Sequence, residues 1–163
     1  MIFVTVGTHE QQFNRLVACV DNLKKDGVIQ EEVIIQTGFS TYEPQFCKYS
    51  KLFPYQKMIE FVRDAHIVIT HGGPSSFIMP LQEGKIPIVV PRQKQFEEHV
   101  NDHQLEFVKK ISESGNIIPV YDISKLSDVL KRYDSMTEKG CRIFSNNEHF
   151  NQQLAKIVDD LMN

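Results

Sequence analysis

No stretch of this sequence approaches the ~20 consecutive apolar residues that a membrane-spanning helix needs. The amino terminus MIFVTVGTHE has neither the basic start nor the long apolar core of a secretory signal. Any membrane role is therefore expected to come through a partner or a surface patch. Cysteine is scarce: Cys19, Cys47 and Cys141 form an odd set with no CxxC spacing. That argues against a disulfide framework or a zinc ribbon and fits a reducing, cytoplasmic compartment. A basic excess is missing as well. Lys and Arg total 18 against 21 Asp and Glu, a formal charge of −3, so the overall electrostatic footprint of a nucleic-acid binder is absent. No GxGxxG follows the first apolar run and no GxxxxGK[ST] occurs anywhere, which argues against dinucleotide enzymes and P-loop phosphotransferases. Internal repeats, low-complexity tracts and linkers are also missing.

What is there is the material of one folded domain. The sequence has 163 residues, 41% hydrophobic and 24% charged, so residues 1–163 are read as a single domain with a real core. Short β-branched runs alternate with amphipathic stretches, the pattern of βαβ units. Strands are expected at 2–6, 33–37, 66–70, 86–90 and 117–120. Helices are expected at 11–25, 54–64, from the HGGPSS stretch to about 82, and at 99–113, 124–132 and 147–162. Pro80 should kink or shorten the helix it falls in. Residues 38–52 are turn-rich and aromatic, a loop with room for a short strand. The fold class is thus α/β, a Rossmann-like parallel sheet with helices on both faces.

In such sheets ligands sit beyond the carboxyl ends of the strands, which singles out three loops. They carry Gly7-Thr8-His9-Glu10, His71-Gly72-Gly73-Pro74-Ser75-Ser76 and Pro91-Arg92. In the second, two glycines would let backbone N–H groups approach a ligand while Ser75 and Ser76 add donors at a helix amino terminus, an arrangement suited to a phosphate or diphosphate. The same residues also suit a plain strand-to-helix turn with a serine cap. Glu10 or His9 could take a proton from a substrate hydroxyl, or could merely favour the start of the following helix. Arg92 could neutralise a leaving diphosphate, or be a solvated loop arginine. His99 and His103 stand i, i+4 beside Glu98 and Asp102, but no third ligand is evident for a metal, and none is expected.

The stretch THGGPSSFIMPLQEGKIPIVVPRQKQFEEHVNDHQ, with the opening VTVGTHEQQF, resembles the carboxy-terminal half of family 28 glycosyltransferases. It is similar to the small bacterial capsular and exopolysaccharide-biosynthesis subunits of that family. It also resembles the cytosolic subunit of the split UDP-GlcNAc transferase of dolichol-linked N-glycan assembly. The resemblance implies one half of a GT-B enzyme that binds a UDP-sugar as donor and needs no cofactor. By position it places Gly7 and Thr8 at the donor diphosphate, His71, Gly72, Gly73, Ser75 and Ser76 at the diphosphate and ribose, and Asn101, Asp102, His103 and Gln104 at the sugar hydroxyls. Many family members carry a glutamate eight residues after the loop histidine. Here that place is Met79, followed by Pro80, and Glu83 is the candidate substitute for the ribose contact.

The function so implied is the donor-binding, catalytic subunit of a two-component, inverting UDP-hexose transferase. It would move galactose in β-1,4 linkage to a lipid-linked glycan, with a membrane-anchored partner subunit that binds the acceptor and holds this chain at the inner face of the membrane. The 147–162 helix is the candidate partner contact. The alternative is a non-catalytic nucleotide-sugar-binding module that supports a catalytic partner.

Overall fold

The computed structural model describes residues 1–138, together with Gln152 and Lys156. The expected 147–162 helix lies outside the described residues except at these two positions, which are helical and exposed. Cys141 also lies outside them. The chain runs β1 (Ile2–Thr5), α1 (Asn14–Lys25), β2 (Val33–Gln36), β3 (Lys48–Ser50), α2 (Tyr55–Asp64), β4 (Ile67–His71), α3 (Pro74–Gln82), β5 (Ile88–Val90), α4 (His103–Ser112), β6 (Ile118–Pro119) and α5 (Leu126–Thr137). Short 3-10 turns occur at Lys94–Phe96 and Ile123–Lys125. The strands form one parallel sheet in the order β3-β2-β1-β4-β5-β6. The order reverses direction at β1 and β4, which opens a crevice at their carboxyl ends.

The strand residues explain the two-sided burial. Ile2 and Val4, Ile67 and Ile69, and Ile88 and Val90 point to one face, where Leu16, Val17 and Val20 of α1 and Leu126 and Val129 of α5 cover them. Phe3, Val68 and Val89 point to the other face, under Val62 of α2, Phe77 of α3 and Phe107 of α4. Strands buried on both sides need apolar residues at every position, and so read as continuous apolar runs. Among the described residues no helix is long and apolar enough to cross a membrane.

One element differs from the sequence expectation, the start of α4, whereas β3 and the end of α3 fall where it allowed. The turn-rich stretch supplies the edge strand β3, because the Asp21 carboxylate of α1 pins the loop before it. That carboxylate accepts hydrogen bonds from Tyr42 Oη at 2.8 Å and from the Gln45 and Phe46 N–H groups at 3.0 and 2.8 Å. The helix expected at 99–113 begins only at His103, so His99 and His103 do not share a helix face. Pro80 lies inside α3, which starts with Pro74 at its first position and ends, as expected, at Gln82, two residues past Pro80.

The amino-terminal edge of the sheet is fastened by charge. The Met1 ammonium donates to Glu31 at 2.8 Å, and His66 reaches Glu31 through Nδ1 at 2.9 Å and Asp134 of α5 through Nε2 at 2.6 Å. The hydrogen bond to Glu31, then that to Asp134, raises the His66 pKa above its ordinary 6.5. Burial pushes Glu31 up, but its bonds to the amino terminus and His66 win and hold it below 4.5. The His66 contribution to stability is therefore complete below pH 6.5, where the unfolded chain is protonated too, and is lost as pH rises through the raised folded value. The Glu31 contribution is present above pH 4.5 and lost as pH falls through the lowered folded value. The thermal midpoint should fall between pH 6 and pH 8 in the wild type by more than in His66→Asn, compared by scanning calorimetry.

Candidate functional site

At the carboxyl ends of β1 and β4 lies a cavity of about 830 Å³. Thr5 and the 7–10 loop form one wall, Gln36 of β2 and His71 of β4 the floor, and Ser75, Ser76 and Met79 of α3 a second wall. The remaining wall is apolar: Leu52, Phe53, Tyr55, Met58 and Val62, from the approach to α2 and from α2 itself.

His71 is the centre of the floor. It is 7% exposed, and burial, followed by the positive charge of Arg92, pushes its pKa down to about 3. The ring is neutral throughout the physiological range. A Cβ on Gly7 would come within 2.3 Å of its Nε2, and a Cβ on Gly73 within 2.2 Å of its Cε1. Both glycines therefore exist to let backbone close over this imidazole, and Gly7 also takes a positive φ of 76°. The Gly73 N–H donates to Nδ1 at 3.0 Å, which places the ring proton on Nε2, 2.8 Å from Ser76 Oγ.

This arrangement corrects the reading of the loop as a cradle of free backbone N–H groups. The Gly72 N–H is spent on Gln104 Oε1 at 3.2 Å, the Gly73 N–H on His71, and the Ser76 N–H on the Gly73 carbonyl at 3.1 Å. Pro74 has none. The serine cap is not formed either: Gly73 is the N-cap of α3, and Ser75 and Ser76 lie within the first turn. What the loop offers the cavity is hydroxyls, the Ser75 N–H of the first turn and the dipole of the helix.

A second hydroxyl of the cavity, that of Thr5, is locked as well. The Phe53 N–H donates to Gln36 Oε1 at 3.1 Å, which turns Gln36 Nε2 toward Thr5 Oγ1 at 3.2 Å. The same oxygen accepts the Gly7 N–H at 3.2 Å. With two donors on its oxygen, the Thr5 hydroxyl proton is left to donate. Neighbouring parallel strands bring these residues into register, Thr5 opposite Gln36.

Glu10 is exposed at the rim, the one carboxylate among the cavity residues. His9 lies beside it, its ring stacked on His99 with centroids 4.5 Å apart and its Nε2 2.9 Å from Gln11 Oε1. Burial, then the neighbouring His9 and Arg92, lowers the His99 pKa. Because α1 begins only at Asn14, neither His9 nor Glu10 caps that helix.

Other expected site residues are elsewhere. Arg92 is fully buried: Nη2 donates to the Val6 carbonyl at 2.7 Å, and Nη1 to those of Gln11, Gln12 and Glu98 at 2.8, 3.1 and 3.0 Å. It is a clamp between the first and third loops, and its guanidinium does not line the cavity. Glu98, buried beside it, binds Arg15 through both carboxylate oxygens at 2.9 and 3.0 Å. Glu83, offered as substitute for the ribose contact, sits past the far end of α3 and pairs with Arg63 at 3.5 Å.

Three side chains of the 101–104 cluster also serve the scaffold, and His103 is exposed. Asn101 Oδ1 accepts the His103 N–H at 3.0 Å, Asp102 Oδ1 the Lys94 N–H at 2.9 Å, and Gln104 Oε1 the Gly72 and Arg92 N–H groups. None of the four lines the cavity. Gly72 is also behind the wall, where a Cβ would meet Val108 at 2.9 Å.

The sequence profile of the glycosyltransferase family 28 C-terminal domain matches residues 1–161. The chain belongs to that family. It is 34% identical over 125 residues to the UDP-N-acetylglucosamine transferase subunit ALG13 of Homo sapiens and 30% identical over 126 residues to the same subunit of Mus musculus. Each match covers 71% of this chain and 10% of the relative, so the chain spans about a tenth of their length. Its fold is similar to that of the glycosyltransferase SnogD from Streptomyces nogalater, with a TM-score of 0.58 at 16% identity over 96% of this chain and 39% of that one. The fold is thereby a Rossmann-like α/β unit of the kind found in GT-B enzymes.

For this family 28 domain the sequence missed Thr5, Gln36 and the apolar wall. A signal for the first two was present, since each is a polar residue at the carboxyl end of an otherwise apolar strand. The wall had none, because it depends on how α2 packs. Gly73→Ala should act through the fold: its methyl displaces the His71 ring, and overpacking of this kind costs about 1–3 kcal/mol. The measurement is the urea midpoint of the purified protein, and an unchanged midpoint would show that the ring moves freely.

Proposed function

We propose that this family 28 domain binds a UDP-sugar and acts as the donor-binding, catalytic subunit of a two-component inverting glycosyltransferase. The observation that carries the reading is the cavity's polarity. Hydroxyl donors and a helix amino terminus lie inside it, a neutral histidine forms its floor, and its carboxylate stands at the rim. An acceptor-rich, doubly anionic group such as a diphosphate suits the interior, and the repulsion between a diphosphate and Glu10 keeps the carboxylate for the other substrate.

In the proposed reaction the acceptor hydroxyl enters from the open side and gives its proton to Glu10 or, failing that, to His9. Its oxygen forms the new bond to the anomeric carbon from the face opposite the diphosphate. The bond from that carbon to the diphosphate oxygen breaks, and UDP leaves with the electron pair. Attack from the face opposite the leaving diphosphate inverts the configuration at the anomeric carbon. The UDP-sugar is substrate, and the chemistry as written requires no further group.

The acceptor side of the cavity is open, which supports a second chain that seats a lipid-linked glycan, carries the membrane anchor and holds this subunit at the cytoplasmic face. That the relatives are named as subunits supports the same division. The donor sugar is a hexose. The resemblance to polysaccharide-biosynthesis subunits favours galactose in β-1,4 linkage, whereas the relatives are named for N-acetylglucosamine.

Calorimetry should find UDP bound more tightly than UMP, and equal affinities would remove the diphosphate from the reading. A transfer assay with UDP-galactose, UDP-N-acetylglucosamine and UDP-glucose, with and without the partner chain, then reads the sugar. Full transfer by a partnered Glu10→Gln, His9→Ala double variant would make this chain a binding module whose partner does the chemistry.

A further inference from the structure

A serine hydroxyl has one proton and can accept through its lone pairs, so its role toward a ligand depends on what else it touches. At Ser76 that role is decided from below. The Gly73 N–H donates to His71 Nδ1 at 3.0 Å, and His71 Nε2 lies 2.8 Å from Ser76 Oγ. Gln104 Oε1 lies 3.4 Å from Nδ1, but that oxygen already accepts the Gly72 and Arg92 N–H groups at 3.2 and 3.1 Å. A proton on Nδ1 would collide with the Gly73 N–H, so the ring proton is on Nε2. That proton goes to Ser76 Oγ, and the serine's own proton is left to point into the cavity.

The ring cannot turn to exchange its nitrogens, because Gly7 and Gly73 lie against it from two directions. It does not protonate near neutrality either, being buried beside the cationic Arg92. The orientation is thus built into the backbone. The Thr5 hydroxyl, also limited to donation by Gly7 and Gln36, faces the same space.

We propose that His71 is a positioning residue which, by its fixed tautomer, holds the Ser76 hydroxyl as a donor to a diphosphate oxygen in the cavity. The inference deepens the donor-cleft reading and rests on it for the uridine part of the ligand. It also answers what replaces the free glycine N–H groups: the Gly72 N–H is spent on Gln104 and the Gly73 N–H on the histidine, and the histidine passes the polarity on to a side-chain hydroxyl.

The test combines binding and spectroscopy. UDP, uridine and inorganic pyrophosphate are titrated by calorimetry into the wild type, Ser76→Ala, Ser76→Thr, His71→Asn and the Ser76→Ala, His71→Asn double variant. Loss of one hydrogen bond to a charged oxygen should weaken UDP and pyrophosphate about 10- to 100-fold in Ser76→Ala. Ser76→Thr should restore affinity, and uridine should be unaffected. His71→Asn should lose a similar factor, and the double variant no more than the larger single loss, because both remove the same bond. Two-bond 1H–15N correlation of the wild-type imidazole should show the proton on Nε2 and no titration down to pH 5. This readout decides even if His71→Asn fails to fold.

A ring protonated on Nδ1, a titration near pH 6.5, additive losses, or equal losses for uridine and UDP would overturn the proposal. A wild type that binds pyrophosphate with the expected Ser76 dependence but discriminates neither UDP nor uridine would overturn the donor-cleft reading and leave the His71 role standing. A wild type that binds no diphosphate overturns both.

Discussion

Arg92→Met should lower the stability of the domain by about 3–5 kcal/mol, the usual result of removing one side of a buried charged network. The side chain would keep most of its volume but leave the Gln11 and Gln12 carbonyls without the guanidinium and strand those of Val6 and Glu98, whose bonds to it are buried. For a domain of this size that corresponds to a fall in thermal midpoint of about 10 °C or more. The loops that carry Gly7 to Glu10 and Gln93 to Glu98 should loosen together, since Arg92 and the Arg15–Glu98 pair are what tie them. Scanning calorimetry with a hydrogen-exchange map of residues 6–13 checks it. A variant as stable as the wild type but with weakened UDP binding would return Arg92 to the diphosphate.

Glu10→Gln should lower turnover about 10²- to 10⁴-fold, the range for loss of a general base, while the affinity for UDP changes little. The carboxylate is exposed among the cavity residues, and under the proposed function it would act on the acceptor proton in the transition state and not on ground-state binding of the donor. The partnered enzyme is compared in steady-state kinetics with His9→Ala. Retained turnover in Glu10→Gln with loss in His9→Ala assigns the base to His9, and retention in both removes it from this chain. A drop in UDP affinity equal to the drop in turnover would make Glu10 a donor-binding residue.

Much of the architecture was legible because burial on two faces leaves a mark in the chain itself. The runs IFVTV and HIVIT are apolar at nearly every position, and a strand that reads so must lie between two layers of helix. The spacing of Leu16, Val17 and Val20 likewise declares the face of α1 that meets the sheet. The three loops were found for the same reason: once strands are parallel and ordered, chemistry gathers at their carboxyl ends. Edge strand β3 was less legible, since it is held by the carboxylate of Asp21 across a loop and carries no pattern of its own.

The chain's own pattern was enough for a parallel α/β domain of family 28 character and for the first two of the loops that border the cavity, because periodicity, apolar runs and glycine-serine motifs are local properties of a chain. Which atoms of those loops face a ligand was decided only by tertiary structure. Arg92 and Glu98 look like surface charges in a polar loop, yet Arg15 and the carbonyls of a segment some 80 residues away draw both into the interior. Gly73 looks like an opening for a phosphate, yet its missing side chain makes room for the ring of His71 two residues earlier. Hydrogen-bond partners are chosen by distance in space, and a donor already satisfied within the protein is no longer available to a substrate, so the functional face of each loop emerged only when the strands were set side by side.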